Sequence, residues 1–311
     1  PQGVKFLVDL RADLLAFRAT KPKFAAFDRD LKELLISWFD IGFLDLQRIT
    51  WKSSAELLEK FIQYEAVHEI RSWKDLKNRL EEDRRCYAFF HPSMPNEPLI
   101  FVEVALVNGI STDVHELLDE KAPMIDPDKA DTAIFYSISN CQEGLAGVSF
   151  GNFLIKRVVA DLAFSLPGLK NFATLSPIPG FTSWLNRQAE NVESSDDEEA
   201  RVSKAAAEVI GTLAEQNNIG DLLNSTAGKS KRAVLARRLQ QQLLSLCATY
   251  LLKAKRGSQV ADRVAHFHLT NGALIKQINW AANLSDNGVE QSLGMMVNYL
   301  YDLPSIEKQH E

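Results

Sequence analysis

A serine, Ser176, ends an apolar run and is followed by two prolines in the stretch "LSPIPGF" (175–181). Proline has no N–H to donate and restricts the residue before it to extended geometry, so Ser176 is held extended where regular structure ends. A hydroxyl fixed in this way can serve as a preorganised hydrogen-bond donor. The same residues also fit a rigid strand-to-helix turn that carries a serine by chance.

Three glycines, Gly144, Gly147 and Gly151, lie between a predicted strand and a predicted helix. Small residues there let the backbone approach a phosphate, and the first N–H groups of the helix point at it. Lys156 and Arg157 follow in the helix, where their charge would help. The spacing is neither GxGxxG nor GxxxxGK[ST], so it indicates no dinucleotide or nucleotide-triphosphate site, and tight strand–helix packing explains the glycines equally well.

Polar side chains on two further segments are candidates for the same site. Ser137 and Ser139 alternate onto one face of the predicted strand 132–139. If that strand and the strand ending at Ser176 are parallel neighbours, their ends share the sheet edge at which α/β folds bind ligands. His268, in "FHLTNGA" (267–273), is a candidate proton donor near neutral pH. A buried core histidine explains His268 as well, and its spacing alone does not link it to Ser176.

The elements that would position these side chains divide the chain into a helical part and a mixed part. Apolar residues recur at helical spacing over 6–17 and 31–39, and the pairs Ser53/Glu56 and Ser72/Asp75 have capping-box spacing, so a helical domain is predicted over residues 1–70. The second domain, 71–311, is predicted to contain strands, a helix from Asn152, a helical insertion at about 185–255, and a mixture of loop and strand over 266–280. The four predicted strands cover 86–91, 99–107, 132–139 and 170–176.

Composition limits the classes of function. The chain has 311 residues, 46% of them hydrophobic and 24% charged, which is typical of a soluble globular protein. A net charge of -6 argues against a dedicated nucleic-acid binder, and no apolar run reaches the roughly 20 residues of a membrane helix. Three scattered cysteines favour a reducing compartment, predicted to be the cytoplasm, and indicate no zinc site. The first residue is Pro1 rather than methionine, so we expect further N-terminal residues, with any targeting signal, to precede it.

Several short strings, taken in order, resemble one enzyme family. The strings are "AIFYSIS", "GLAGVSFGNFLIKRVV", "LSPIPGF", "FHLTNGA", "INW" and "GMMVNY", with further similarity in "RSWKDLKNRL", "RRCYAFFHPSMPNEPL" and "GVKFLVDLRADLL". Together they resemble the malonyl-CoA decarboxylases over nearly the whole chain. The resemblance implies an α+β fold, in which an N-terminal all-helical domain precedes an acyltransferase-like domain of the GCN5-related N-acetyltransferase (GNAT) type. That domain has a mixed, mostly antiparallel central sheet.

The resemblance also implies a reaction and a set of site residues. Malonyl-CoA would be converted to acetyl-CoA and CO₂ without metal or organic cofactor, Ser176 and His268 would be the catalytic pair, and Ser137, Tyr299 and Asn271 would line the substrate. The phosphates of coenzyme A would bind the turn after the fourth strand, which carries over to Gly147, Val148, Ser149, Phe150, Gly151 and Asn152. This turn departs from the acyltransferase pattern at Ala146 and Ser149. Some family members have glutamate where this chain has Ser149, so an acid there is not essential here.

The resemblance further implies a homo-oligomer, a tetramer or a dimer, and the charge and the short apolar runs predict no nucleic-acid or membrane partner. Two other functions remain open. An acyl-CoA-dependent N-acyltransferase would use the same fold and phosphate turn, but it would need an amine acceptor, whereas a decarboxylase releases CO₂ from malonyl-CoA alone. A non-catalytic acyl-CoA sensor, favoured by the departures at Ala146 and Ser149, would bind coenzyme A without turnover.

Overall fold

The computed structural model describes residues 2–18, 22–39, 41–148, 153–191 and 197–302. The chain divides into two compact units, the first formed by residues 1–110 and 120–172 and the second by residues 111–119 and 173–311. Among the described residues, no helix combines the length and apolar character needed to cross a bilayer.

Helices and strands alternate through both units, as predicted for an α+β protein. The helices are α1 (Gln2–Arg18), α2 (Ala25–Trp38), α3 (Ala55–Tyr64), α4 (Trp73–Arg79), α5 (Val114–Leu117), α6 (Phe153–Ser165), α7 (Phe181–Glu190), α8 (Asp197–Ala214), α9 (Ile219–Leu223), α10 (Lys231–Lys253), α11 (Arg263–Thr270) and α12 (Asp286–Ser292). The strands are β1 (Asp45–Ile49), β2 (Arg84–Phe90), β3 (Ile100–Val107), β4 (Thr132–Asn140), β5 (Asn171–Thr174), β6 (Ser176–Pro177), β7 (Lys255–Arg256), β8 (Gln259–Val260), β9 (Leu274–Asn279) and β10 (Met296–Tyr301).

The first unit is built on antiparallel strands in the order β1-β2-β3-β4. β2 and almost all of β3 are buried along their whole length, as expected for apolar runs at the centre of a sheet. The Asn171 side chain, at the start of β5, donates to Thr132 Oγ1 at the start of β4 over 3.2 Å. These two strands therefore begin at the same end, and α6 connects them. The predicted order of strand, glycine turn, helix and strand is confirmed.

The start of the chain differs from the helical prediction at one strand. β1 lies inside the stretch predicted to be helical, and it pairs with β2 from Asp45↔Phe90 to Ile49↔Cys86. The sequence "DLQRI" shows neither clean alternation nor an apolar run, because β1 is largely exposed. The predicted cap Ser72 is confirmed, since its hydroxyl accepts the Asp75 N–H over 3.1 Å. The cap of α3 is Ser54 rather than Ser53.

In the second unit, β10 pairs antiparallel with both β9 and β6. The helices α7–α10 lie between β6 and β9 in the chain and cover the region predicted as a helical insertion. The stretch 266–280 differs from the prediction of loop and strand, because α11 extends to Thr270 and only β9 is extended. The Asp262 side chain accepts the N–H groups of Val264 and Ala265, each over 2.9 Å, and this cap starts α11.

Candidate active site

Ser176 lies on the two-residue strand β6, where it pairs with Val297 of β10. Its side chain is buried, and its hydroxyl donates to Thr174 Oγ1 over 2.8 Å. The Asn298 side chain donates to the Thr174 carbonyl over 2.7 Å and so fixes the backbone just before the serine. Ser176 is therefore held rigidly at the end of regular structure, as the proline pattern predicts.

His268 projects from the last turn of α11 and reaches this serine. Its Nε2 lies 3.1 Å from Ser176 Oγ, although the two residues are 92 positions apart in the chain. Its Nδ1 lies 2.8 Å from the Tyr301 hydroxyl. The Tyr299 ring stacks on the imidazole with 4.5 Å between ring centroids and 26° between planes. Tyr299 and Tyr301 contact the same ring because residues two apart on a strand share a face.

The hydrogen bonds assign one tautomer to His268. Because Ser176 donates to Thr174, its oxygen is left to accept from Nε2–H, and Nδ1 then accepts the Tyr301 O–H. Burial lowers the pKa of His268 to about 3, so the imidazole is neutral near pH 7. His268 is therefore a hydrogen-bond donor in this state, rather than the ready acid that its ordinary pKa would predict.

The buried Asp262 carboxylate contacts both the turn that follows Ser176 and the helix that carries His268. Asp262 Oδ1 caps α11, which carries His268, while its Oδ2 accepts the Gly180 N–H over 3.3 Å in the turn after Ser176. The Tyr250 hydroxyl donates to the same oxygen over 3.3 Å. Asp262 is 1% exposed, and burial raises the pKa of its carboxyl group. Both segments are thus positioned by one side chain.

Two further predicted site residues lie in the second unit. Asn271 is buried and follows the end of α11, where its backbone N–H donates to the His268 and Phe267 carbonyls. Its side chain also donates to the Phe267 carbonyl, so it terminates the helix that carries His268. The Tyr299 hydroxyl is buried and has no hydrogen-bond partner within the described part of the chain.

Ser137 lies on β4 in the first unit, where its hydroxyl is within 2.7 and 2.8 Å of the two Glu65 carboxylate oxygens. The Ser139 hydroxyl donates to the same carboxylate over 3.0 Å. Burial raises the pKa of Glu65, but hydrogen bonds from Glu103, the His68 N–H and Ser137 outweigh it and hold that pKa below its usual value. Ser137 is therefore hydrogen-bonded to a buried, ionised carboxylate.

The glycine turn follows β4 in the first unit. A 3-10 turn over Glu143–Leu145 leads to Gly147, whose φ of +73° is a backbone conformation that favours glycine. The Val148 N–H donates to the Leu145 carbonyl over 2.9 Å. The predicted phosphate-binding residues Ser149, Phe150, Gly151 and Asn152 lie outside the described residues. Across the described residues, no group of three or more His, Cys, Asp and Glu side chains could hold a metal ion.

Sequence reasoning did not find four residues that organise these groups, namely Thr174, Tyr301, Asp262 and Glu65. Asp262 had a signal, because an aspartate before a helical stretch is a common N-cap. Tyr301 could have been found from strand alternation with Tyr299. Thr174 could have been found in the same way, because it lies two residues before Ser176 on the predicted strand 170–176. Glu65 had no signal, because only its position in the fold brings it to Ser137.

Comparisons with known proteins match nearly the whole chain. The model of the malonyl-CoA decarboxylase C-terminal domain matches residues 42–311, and that of the N-terminal domain matches residues 1–39. The mitochondrial malonyl-CoA decarboxylase of Rattus norvegicus is 43% identical over 311 residues, which cover 97% of this chain and 63% of the relative. That of Anser anser anser is 42% identical over 311 residues, covering 97% and 61%. The chain thus spans about three fifths of the length of these curated relatives.

A solved structure shows the same fold. The crystal structure of malonyl-CoA decarboxylase from Rhodopseudomonas palustris matches with a TM-score of 0.89 and 45% identity. The match covers 100% of this chain and 72% of that chain.

Proposed function

Because this chain belongs to the malonyl-CoA decarboxylase family, we propose that it converts malonyl-CoA into acetyl-CoA and CO₂. The observation that carries the proposal is the hydrogen bond between two buried side chains, Ser176 and His268, with Tyr301 behind the imidazole. A buried donor pair of this kind is suited to a reaction in which negative charge develops on a carbonyl oxygen.

Decarboxylation places a specific demand on these donors. The bond between the α-carbon and the carboxylate breaks, CO₂ leaves, and the electron pair delocalises onto the thioester oxygen as an enolate. A preorganised donor aimed at such an oxygen typically lowers the barrier by about 3–4 kcal/mol. Rotation of the Ser176 hydroxyl away from Thr174 would aim its proton at the enolate, while His268 Nε2–H holds the serine oxygen.

The enolate then needs one proton on its α-carbon. Ser176 would give its proton to the α-carbon and take the proton of His268 Nε2, while His268 Nδ1 receives the proton of Tyr301. The phenolate left on Tyr301 would recover a proton from solvent before the next turnover. This relay does not require a charged imidazole in the free enzyme, which agrees with the lowered pKa of His268. Metal and organic cofactors have no role in the proposal, because the thioester itself delocalises the electron pair. Undiminished activity after dialysis against EDTA would agree with it.

The remaining site residues are assigned by the family resemblance. In this proposal Gly147, Val148, Ser149, Phe150, Gly151 and Asn152 bind the phosphates of coenzyme A. Ser137, Tyr299 and Asn271 line the substrate. The conformation of Gly147 supports the first assignment, because a left-handed residue in a turn exposes successive backbone N–H groups.

The proposal extends to the setting of the enzyme. Its substrate and product place it in fatty acid metabolism. The three cysteines are free and buried, which fits a reducing compartment, and we assign the chain to the cytoplasm. The names of the relatives suggest a mitochondrial location instead. Imaging a fluorescent fusion of the full-length protein would distinguish the two locations. Exposed apolar side chains on α1 and α2, namely Phe6, Phe27 and Ile36, support a homo-oligomer. Light scattering after size exclusion would distinguish a tetramer or dimer from a monomer.

The decisive experiment measures CO₂ and acetyl-CoA formed from malonyl-CoA alone. We expect Ser176→Ala and His268→Gln to lower kcat by roughly 10²–10⁴-fold. The matched controls are Ser203→Ala, a buried serine on α8, and His266→Gln, on the same helix as His268, both of which should leave kcat near wild type.

Two outcomes would contradict the proposal. Acyl transfer to an added amine, with no CO₂ formed in its absence, would identify an N-acyltransferase. Tight binding of coenzyme A with no turnover of malonyl-CoA would identify a sensor.

A further inference from the structure

The N-terminal helix α1 lies directly against the start of the glycine turn. A Cβ atom placed on Gly144 would lie 1.7 Å from the Val8 carbonyl oxygen, so no larger residue fits while α1 stays in place. Arg11 of α1 donates from Nη1 to the Gly144 carbonyl over 2.6 Å. The backbone of the turn is therefore held by a helix from the other end of the first unit.

The same arginine connects α1 to α2. Arg11 Nε lies 3.0 Å from Asp28 Oδ1, and both side chains are almost fully buried. Removing one partner of a buried ion pair leaves an uncompensated charge, so this contact strongly fixes one helix against the other. Through Asp28, Arg11 and Gly144, α2 has a fixed position relative to the glycine turn.

Lys32 of α2 extends to the next glycine of that turn. A Cβ atom on Gly147 would lie 3.0 Å from Lys32 Nζ and 3.4 Å from its Cε, so the ammonium group lies over the backbone of Gly147. Lys32 is half-buried, and it has no ion pair or hydrogen bond within the described residues. A lysine with no carboxylate partner beside a backbone that approaches ligands closely has its charge available to an anion.

We propose that α2 is part of the coenzyme A site and that Lys32 contacts a phosphate of the bound coenzyme. This rests on the proposed function, in which the turn at Gly147 binds the phosphates. The N-terminal helices then have a role in substrate binding. Arg11 and Asp28 position the turn and α2, and Lys32 supplies a positive charge that the turn itself lacks at Gly147.

The test measures binding of coenzyme A itself by calorimetry, so that no turnover is needed. We expect Lys32→Ala to weaken binding about tenfold, because charge-assisted hydrogen bonds to phosphate are lost. Lys32→Arg keeps the charge and should bind nearly as well as wild type. The matched control is Arg29→Ala, which removes an exposed positive charge from the same helix and should leave binding unchanged.

A second measurement separates phosphate contact from general damage. With malonyl-pantetheine, which has no phosphate, Lys32→Ala and wild type should have equal kcat/KM, whereas with malonyl-CoA the variant should show a raised KM and an unchanged kcat. The inference would be overturned if Lys32→Ala bound coenzyme A as tightly as wild type does. It would also be overturned if the variant lost the same factor in kcat/KM with malonyl-CoA and with malonyl-pantetheine. Wild type that binds coenzyme A but releases no CO₂ would overturn only the decarboxylase proposal, and wild type that does not bind coenzyme A would overturn both.

Discussion

His268 lies between two tyrosines that act on its imidazole in different ways. Tyr299 covers the ring face, whereas Tyr301 holds Nδ1 through its hydroxyl. The first contact excludes water, and the second determines which nitrogen carries the proton. The tautomer of His268 therefore depends on Tyr301, whereas burial keeps the ring neutral.

Replacing Tyr301 by phenylalanine should test this division at the residue scale. The ring is kept, but Nδ1 loses its donor, so the proton of the neutral imidazole is no longer held on Nε2. We expect kcat for malonyl-CoA to fall about tenfold, or about 1.4 kcal/mol in the barrier. The ¹⁵N shifts of a labelled His268 should move away from the pattern of a ring protonated only at Nε2.

The matched control is Tyr87→Phe, which removes another buried tyrosine hydroxyl, bound to Asp161 over 2.7 Å. It should lower stability by about 1 kcal/mol and leave kcat unchanged. Equal kcat values for wild type and Tyr301→Phe, or unmoved ¹⁵N shifts, would show that Tyr301 only fills space.

At this scale, sequence reasoning could find Ser176 but not its partners. The two prolines act locally on the residue before them, and that effect can be read from neighbouring letters. The approach of His268 depends on the pairing of β6 with β10 and on the cap of α11. It was anticipated only through family resemblance, because no local rule contains those distances.

Between the elements of the first unit, a buried carboxyl pair links the segment after α3 to the sheet. Glu65 follows α3 and holds Ser137 and Ser139 of β4, while Glu103 of β3 accepts the Tyr136 O–H over 2.7 Å. Burial, and then the charge of Glu65, raise the pKa of Glu103 well above its usual value. The raised pKa predicts that Glu103 keeps its proton beside the ionised Glu65, even though the Arg79 guanidinium, 3.3 Å from Glu103 Oε1, acts to lower that pKa.

That proton makes the stability of the first unit depend on pH. Since the pKa of Glu103 is higher in the folded state than its ordinary value of 4.5, folding retains a proton that the unfolded chain releases, and stability falls as pH rises above that value. Glu103→Gln keeps a neutral donor toward Glu65 and removes the titration. We expect it to lose less stability than wild type as the pH rises above 4.5, by up to about 1.4 kcal/mol per pH unit.

The matched variant is Glu65→Gln, which removes the ionised acceptor of two hydroxyls and two N–H groups and should cost about 3 kcal/mol near pH 6. Urea unfolding from pH 4.5 to 9 measures both. Parallel curves for wild type and Glu103→Gln over this range would show that Glu103 does not retain a proton on folding.

Element prediction succeeded where the pattern and the environment agree. The apolar runs of β2 and β3 were found because both strands are buried along their length. β1 was missed because it is a largely exposed edge strand in which only Ile49 is buried. α11 was missed because an eight-residue helix has little periodicity to detect, and its beginning depends on the Asp262 side chain.

On the scale of the whole molecule, the reactivity of the cysteine thiols can be used to follow the unfolding of both units. Cys86 and Cys141 lie in the first unit and Cys247 in the second, and all three are free and buried. Burial raises the pKa of each thiol, which removes the thiolate that a disulfide reagent needs.

We therefore expect native protein to show no thiol that reacts rapidly with a disulfide reagent, and unfolded protein to show all 3. Single Cys→Ser variants show which thiol, and so which unit, gives each reaction. The rates of thiol reaction measured at rising guanidinium concentration then show whether the two units unfold together. One rapidly reacting equivalent in the native protein would contradict the described burial.

The position of Asp262 has a consequence for how the site moves. The loop that follows Ser176 and the helix that presents His268 are tied to opposite oxygens of one carboxylate, so a fluctuation that releases one removes a constraint on the other. Local opening of the two segments should therefore be correlated, although they are distant in the chain. Slow amide exchange at Gly180 and at Ala265 would then occur through one shared opening event. Ser176 and His268 would be brought together, or separated, in a single cooperative transition.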